Sequence, residues 1–318
     1  MKNLGHVKKL KGDASFRKFF RKKNKKKTSI IVYAKKEKKK NLLIYDSINK
    51  ILKKNNILAP KLYEENYKKD YIVIQDFGDK TIYEIFNKYS SNKFQYFRKI
   101  IKLLTKIQSI KDKNIKNFKK KSYVIPKYKK KILFEESQLF CDWYTKSLLT
   151  KKNQDRFKKK FTVTVNKLIS NLKLKNNTFV HRDFHISNLM KVKNQIGVID
   201  SQDAVIGNKA YDLASLIDDV RFKTSKTLKR KIYRSYVKDQ KKLDERKFKN
   251  DFEILSILRN LKIIGIFTRL AVRDGKKKYL KLIPYAWSLI NLRIKNNIIF
   301  KDLKNLLNEN FKKKLNEN

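Results

Sequence analysis

Between Thr178 and Asp200 the chain reads TFVHRDFHISNLMKVKNQIGVID, and the polar residues in this stretch are of the types that move a phosphoryl group. Transfer of phosphate from a nucleotide to a hydroxyl needs a carboxylate to orient the acceptor. It also needs oxygen donors for the Mg²⁺ that neutralises charge between the phosphates. Asp183 supplies the first, and Asn188 with Asp200 the second. Their spacing matters as much as their types. A β-prone run, Thr178-Phe179-Val180, leads into His181-Arg182-Asp183, and a second apolar run, Gln195 to Ile199, ends directly on Asp200.

A His-Arg-Asp loop with an Asn further on, followed by a strand that delivers an Asp, is the signature of a kinase-type catalytic loop. Around it lie further polar residues. His181 is expected to hydrogen-bond neighbouring backbone, because Asp183 is better placed to act as base. His185 either touches the acceptor or packs. Gln202 and Asp203, just past the metal-binding Asp, face the acceptor in this reading. The segment from Asp200 to Tyr211 is too short to present a peptide, so the acceptor is a small molecule. Asp212, in the first turn of the next helix, either complements the helix dipole or braces the loop; bracing is preferred. Glu136, with Leu139-Phe140 and Trp143-Tyr144 close by, offers a carboxylate and aromatic faces to a sugar, or else forms core on one side and solvated charge on the other.

The elements needed to position these residues can be read from periodicity. Runs Ala14–Phe20 and Thr28–Ala34, split by the charged turn Lys22–Lys27, predict an antiparallel hairpin. Before it, Gly12-Asp13-Ala14-Ser15 is a small-residue bend whose amides could approach a phosphate. Apolar residues at helical spacing between Asn41 and Asn55 predict a helix on the sheet, and Tyr71-Ile72-Val73-Ile74-Gln75 a strand. The break at Asp76-Phe77-Gly78-Asp79 is the expected junction between lobes, where backbone of Gln75 to Phe77 would meet an adenine. Beyond it the pattern is helical, at Thr81–Lys88, Phe94–Ile110, Ile132–Leu149, Phe157–Leu172, Ala210–Phe222, Leu228–Val237, Phe248–Ala271, Lys278–Leu292 and Lys301–Lys313. Only the strands at the catalytic loop should interrupt these helices, and Pro284 should kink or restart one of them. The expectation is an α+β, bilobal fold: a small antiparallel-sheet lobe with one helix over 1–78, and a large, mainly helical lobe over 79–318.

Composition excludes several classes. No stretch of about 18 apolar residues exists to cross a membrane, and the N-terminus has no apolar run of signal-peptide length, so a cytoplasmic chain is expected. The one cysteine, Cys141, permits no internal disulfide. With 82 Lys plus Arg against 29 Asp plus Glu the formal charge is +53. Lysine is nevertheless spread through every segment alongside Asn and Ile, with only 7 Gly and 3 Pro, which is the imprint of AT-rich codons. A solvated basic surface is therefore preferred over a specific nucleic-acid groove. A noncatalytic polyanion-binding module stays open as a rival.

Several runs of residues carry a family likeness. His181 to His185 with Asn188-Leu189-Met190, Gly197 to Ala204 with Gly207, and Tyr211-Asp212-Leu213-Ala214 resemble the aminoglycoside phosphotransferase and choline kinase superfamily. Within it the chain looks most like bacterial cell-wall-recycling kinases that phosphorylate N-acetylmuramate and N-acetylglucosamine at the anomeric hydroxyl. Gly12 to Arg17, Asp76 to Asp79, Leu139 to Tyr144 and Arg259 to Lys276 extend the likeness over nearly the whole chain. The resemblance implies a kinase-like fold, ATP with Mg²⁺, Asp183 as base, Asn188 and Asp200 as metal ligands, and a sugar 1-phosphate that feeds peptidoglycan precursors. Aminoglycoside, choline or homoserine-like acceptors remain as alternatives. The chain departs from the pattern at the third strand, which ends Ile31-Val32-Tyr33-Ala34 without the usual lysine. Lys35, Lys36 or Arg17 could each hold the phosphates instead. Ser201 stands where an aromatic is common.

Overall fold

In the computed structural model, residues 7–10, 16–24, 27–35, 38–88, 92–295 and 297–316 are described. The chain forms two compact units, one of residues 1–126 and 178–206, the other of 127–177 and 207–318. The first unit thus takes in the N-terminal sheet and also the catalytic loop, which the sequence reading assigns to the larger lobe.

The first unit is built on a five-stranded antiparallel sheet. Its strands are β1 (Val7–Lys9), β2 (Lys18–Asn24), β3 (Lys27–Tyr33), β4 (Leu62–Asn66) and β5 (Tyr71–Gln75), in the order β1-β2-β3-β5-β4. The hairpin strands extend further into the lysine-rich segment than β propensity predicts, because each ladder bond satisfies a backbone group whatever side chain it carries. Along β3 and β5 the alternation of Ile30, Val32 and Ala34 with Ile72 and Ile74 makes one apolar face. Helix α1 (Lys40–Lys54) closes on that face through Leu42 and Tyr45.

Helices α2 (Ile82–Lys88) and α3 (Lys93–Gln108) follow, each with a side-chain cap or capping box at its start. The Thr81 hydroxyl accepts from Glu84 N–H, and the Glu84 carboxylate in turn accepts from Thr81 N–H. A small hairpin, β6 (Asn114–Lys116) with β7 (Ser122–Val124), corrects the expectation that strands beyond residue 79 occur only at the catalytic loop. Its three-residue strands are too short to show a period of two.

The second unit is helical. It comprises α4 (Lys130–Leu139), α5 (Lys151–Ser170), α6 (Ala210–Ile217), α7 (Lys226–Lys238), α8 (Glu245–Val272), α9 (Ile283–Ile294) and α10 (Lys301–Asn316). The helix expected over Ile132–Leu149 ends earlier. It passes into a π turn at Phe140–Tyr144 and then a 3-10 turn. The cause is α8, whose Gly265 lies so close that a Cβ there would come 2.3 Å from the Leu139 carbonyl oxygen. Two helix backbones in direct contact leave no room for regular side-chain interdigitation. Pro284 restarts a helix, standing in the first turn of α9 after a 3-10 segment, where its missing N–H leaves no bond unmade.

The unit's core is aromatic: Phe140 packs against Tyr144, Phe157, Phe161, Trp287 and Phe311. Cys141 is buried beside it, and burial pushes its thiol up to about 12. Near the start of α8 the Asp251 carboxylate accepts from the N–H groups of Lys173 and Leu174 and from the Asn208 amide. Asn208 in turn accepts from Ala210 N–H, which fixes where α6 begins. No helix among the described residues is long and apolar enough to cross a membrane.

Candidate active site

The catalytic loop runs from β8 (Asn176–Val180) through a 3-10 turn at Ile186–Asn188 into β9 (Leu189–Val192), which pairs with β10 (Gln195–Val198). Backbone bonds tether this hairpin to the segments just before β4 and just after β5. Lys191 N–H donates to the Lys80 carbonyl, and Val198 N–H to the Leu58 carbonyl, both at 2.8 Å. The Phe77 ring lies against Gly197, where a Cβ would come within 2.7 Å of it, so that glycine is needed for the close approach.

Within the loop the expected residues come together. The Asn188 side-chain amide donates to the Asp183 carbonyl at 3.0 Å, and Ile199 N–H donates to the Asn188 carbonyl at 3.1 Å, which seats Asp200 beside it. With its NH₂ committed to the loop, Asn188 has its amide oxygen left as a ligand atom. Arg182 and Asp200 both have positive φ, +72° and +62°. Such left-handed backbone in non-glycine residues is strained by roughly 1–3 kcal/mol each and clusters at functional loops. His181 is fully buried, and burial pushes its imidazole below the ordinary range, against the pull of Asp183, Asp200 and Asp203 and a bond to the Ile199 backbone. His185 is buried at the head of the 3-10 turn, its ring 3.4 Å from the Asn188 amide nitrogen.

Arg17 is the cation at this site. Its residue is 5 % exposed, and its guanidinium donates at 2.6 Å both to Asp200 and to the Gln202 side-chain oxygen. Gln202 passes the contact on, donating to Asp203 at 2.6 Å. The Arg17 guanidinium also lies within 6 Å of the Phe16, Phe19 and Tyr45 rings. Lys35, by contrast, is exposed, and Lys36 and Ser15 lie outside the described residues.

Helix α1 completes the arrangement. Tyr45 is buried, and burial together with Asp200 drives its hydroxyl up to about 12 despite Arg17 and a bond to Asn49. Ser201, standing where an aromatic is common in the family pattern, donates at 2.8 Å to the Asn49 side chain. Asp46 on α1 pairs with Lys50 and accepts from Phe118 N–H. Sequence reasoning missed Arg21 as well. Its guanidinium bonds Asp76 at 2.6 Å and Asp79 at 2.8 Å, fixing the break after β5. Burial raises the Asp76 carboxyl, but Arg21, Gly78 N–H and Thr28 outweigh it and hold it below the usual range. Of the expected adenine-contact backbone, Gln75 N–H is already given to the Lys61 carbonyl.

Two expected residues lie in the second unit. Glu136 pairs with Lys262 at 2.9 Å and accepts from the Tyr128 hydroxyl. The neighbouring Phe140 and Tyr144, which the sequence reading offered to a sugar, are core residues. Asp212 is fully buried in the first turn of α6. A carboxylate and an amide oxygen are the hard donors that Mg²⁺ takes alongside water and phosphate, so Asn188 and Asp200 fit that ion.

An antiparallel sheet with one packed helix, joined to a mainly helical remainder, defines a protein-kinase-like α+β fold. Solved structures share it. An ADP-bound aminoglycoside phosphotransferase, APH(2'')-Ib, matches with a TM-score of 0.60 at 16% identity over 91% of this chain and 95% of its own. A choline/ethanolamine kinase family protein from Mesorhizobium loti matches at 0.63 with 10% identity, over 95% and 92%. The family model described as the phosphotransferase enzyme family matches residues 6–246, and the chain belongs to that family. It is a phosphotransferase. Among curated relatives, the N-acetylmuramate/N-acetylglucosamine kinase of Neisseria meningitidis is 25% identical over 86% of this chain and 80% of its own. That of Pseudomonas putida is 26% identical over 90% and 83%.

Proposed function

We propose that the protein is an ATP-dependent kinase of the cytoplasm that phosphorylates the anomeric hydroxyl of N-acetylmuramate and N-acetylglucosamine. The sugar 1-phosphate it releases serves peptidoglycan recycling. The observation that carries the reading is the loop in which Asn188 bonds the Asp183 carbonyl and leads directly to Asp200, with a buried arginine on that carboxylate. The names of the curated relatives support the choice of sugar.

In this reading residues 1–78 bind the nucleotide, with backbone near Gln75 and Phe77 meeting the adenine, and 79–318 carry catalysis and the acceptor. Asp183 accepts a hydrogen bond from the anomeric hydroxyl, aims its oxygen at the γ-phosphorus and takes the proton late, as the bond to ADP breaks. His185, Gln202 and Asp203 line the acceptor side, and Glu136 offers a further carboxylate. His181 and Asp212 hold the loop in shape. Asn188 and Asp200 would hold Mg²⁺, which when bound neutralises charge between the phosphates. Arg17 keeps Asp200 and Gln202 aligned and supplies positive charge to the phosphates, a duty for which exposed Lys35 is the weaker candidate.

The test is ATP consumption by the purified protein against N-acetylmuramate, N-acetylglucosamine, choline, homoserine and an aminoglycoside, with ³¹P NMR of the product. Turnover of the two amino sugars to an acid-labile 1-phosphate is expected. Turnover of another acceptor alone, or salt-sensitive nucleic-acid binding without any ATP use, would contradict the reading.

A further inference from the structure

Lysine is so common in this chain that a patch of it carries no information, but arginine is not: only 13 of the 82 cations are arginine. Three of those 13, Arg230, Arg234 and Arg293, line one cavity of about 450 Å³ inside the second unit, walled by α7, α8 and α9. That volume falls within the roughly 300–1,000 Å³ of small-molecule sites. On α7 the lining residues Lys226, Lys229, Arg230, Tyr233 and Arg234 recur at three- and four-residue spacing and so share one face, beside the apolar stripe of Ile232 and Tyr236.

Part of this charge is removed from water. Lys229 is 5 % exposed, and it shares with Arg293 the single carboxylate of Asp218, which the Ser256 hydroxyl also contacts, so the group holds one positive charge over. In a poorly hydrated wall that surplus attracts an anion more strongly than a surface lysine does. Lys226, Arg230, Arg234 and Lys249 add to it, all exposed and none paired with another described residue. Glu253 is the one carboxylate of the lining, and it already accepts from the Asn297 amide at 2.7 Å. Tyr233 packs edge-on against Phe252, and its hydroxyl is enclosed with no hydrogen-bond partner among the described residues. Guanidinium forks and an unused hydroxyl donor around an excess of cations suit oxygens that carry full negative charge, phosphate above all.

We propose that this cavity is a binding site for a compact, multiply charged phosphate ester of about nucleotide size. Arg230 and Arg234 grip its phosphate oxygens, and Lys229 with Arg293 supplies the buried charge. The inference goes beyond the sugar-kinase reading and does not depend on it.

Inorganic pyrophosphate is the probe, in calorimetric titration of the full-length chain with EDTA present and ionic strength fixed, so that neither a metal complex nor bulk screening contributes. Wild type should bind it saturably. Arg230→Ser/Arg234→Ser should weaken binding by roughly tenfold or more, as expected for lost charge-assisted bonds. Arg230→Lys/Arg234→Lys, which keeps the charge and loses the forks, should fall between the two. Lys152→Ser/Lys159→Ser removes two exposed, unpaired lysines from α5 and should stay within about twofold of wild type, a shift small against that loss. All four positions are exposed, so each double variant should melt as wild type does without ligand. Equal weakening in both serine double variants would mean that net charge alone attracts the probe, and absence of saturable binding to wild type would mean that no site exists; either overturns the proposal. Loss of binding in Arg17→Met with none in Arg230→Ser/Arg234→Ser would place the probe at the catalytic loop and overturn it as well. A single-stranded oligonucleotide that binds through Arg230 and Arg234 where pyrophosphate does not would replace the small ligand by nucleic acid.

Discussion

Replacing Arg17 by methionine isolates the cation that the structure sets against Asp200. Methionine retains an unbranched apolar stem for the ring surfaces of Phe19 and Tyr45 and deletes the charge. The Arg17 side chain is 4% exposed and that of Asp200 36%, so water can take over much of the Asp200 bond but little of the Gln202 one. Breaking a fully buried pair costs about 3–5 kcal/mol. With one partner this wet, we expect about 1–3 kcal/mol, chiefly the stranded Gln202 oxygen. Calorimetric melting of the ligand-free protein reads this directly. The effect on nucleotide use is separate. A charge-assisted bond to phosphate of about 1.5–3 kcal/mol predicts a rise of roughly 10- to 150-fold in the KM for ATP. Lys35→Met serves as the comparison. Unchanged ATP kinetics in Arg17→Met alongside a large loss in Lys35→Met would refute the reasoning and return the phosphate-binding role to the end of β3.

Gly265→Ala forces a methyl to within 2.3 Å of the Leu139 backbone and should destabilise by about 3 kcal/mol or more, seen as a lower denaturant midpoint. In the Asp218 site, burial raises the carboxyl, but Arg293 and Lys229 prevail and leave it at about 2, against an ordinary 3.8. A depressed carboxylate contributes stability above its unfolded value and loses it as pH falls through its folded one. About 2 kcal/mol should therefore vanish between roughly pH 4 and pH 2, and Arg293→Met should flatten that slope in acid titration followed by circular dichroism. In the proposed metal site Asn188 and Asp200 would be the two protein oxygens, so Asn188→Ala should raise the Mg²⁺ concentration for half-maximal rate by roughly 10- to 100-fold in a metal titration.

The parts of the site legible in the sequence were those encoded in short, ordered runs. Asp183, Asn188 and Asp200 lie within 18 positions of one another, and strands such as Tyr71–Gln75 carry dense apolar patterns. Pairings over long separations left no such mark. Arg17 meets Asp200 across 183 positions, and Ser201 meets Asn49 across 152. In a chain with 82 lysines and arginines, one more cation says nothing about which is buried. Helix interruption was equally invisible. The π turn at Phe140–Tyr144 answers to the close approach of Gly265, a property of two segments and not of either alone. The aromatics Phe140 and Tyr144 had the spacing of a binding stripe, yet the same spacing builds a core, and burial decided between the two.

The central claim is that Asp183 aims and deprotonates a sugar hydroxyl beside a nucleotide held through Asn188 and Asp200. Single-turnover phosphorylation of N-acetylglucosamine by Asp183→Ala, at saturating ATP and with folding checked by circular dichroism, tests it most directly. The rate should fall by about 10³-fold or more, equivalent to roughly 4 kcal/mol of lost transition-state stabilisation, with ATP binding retained. A rate near that of wild type would remove Asp183 from the chemistry and with it the account.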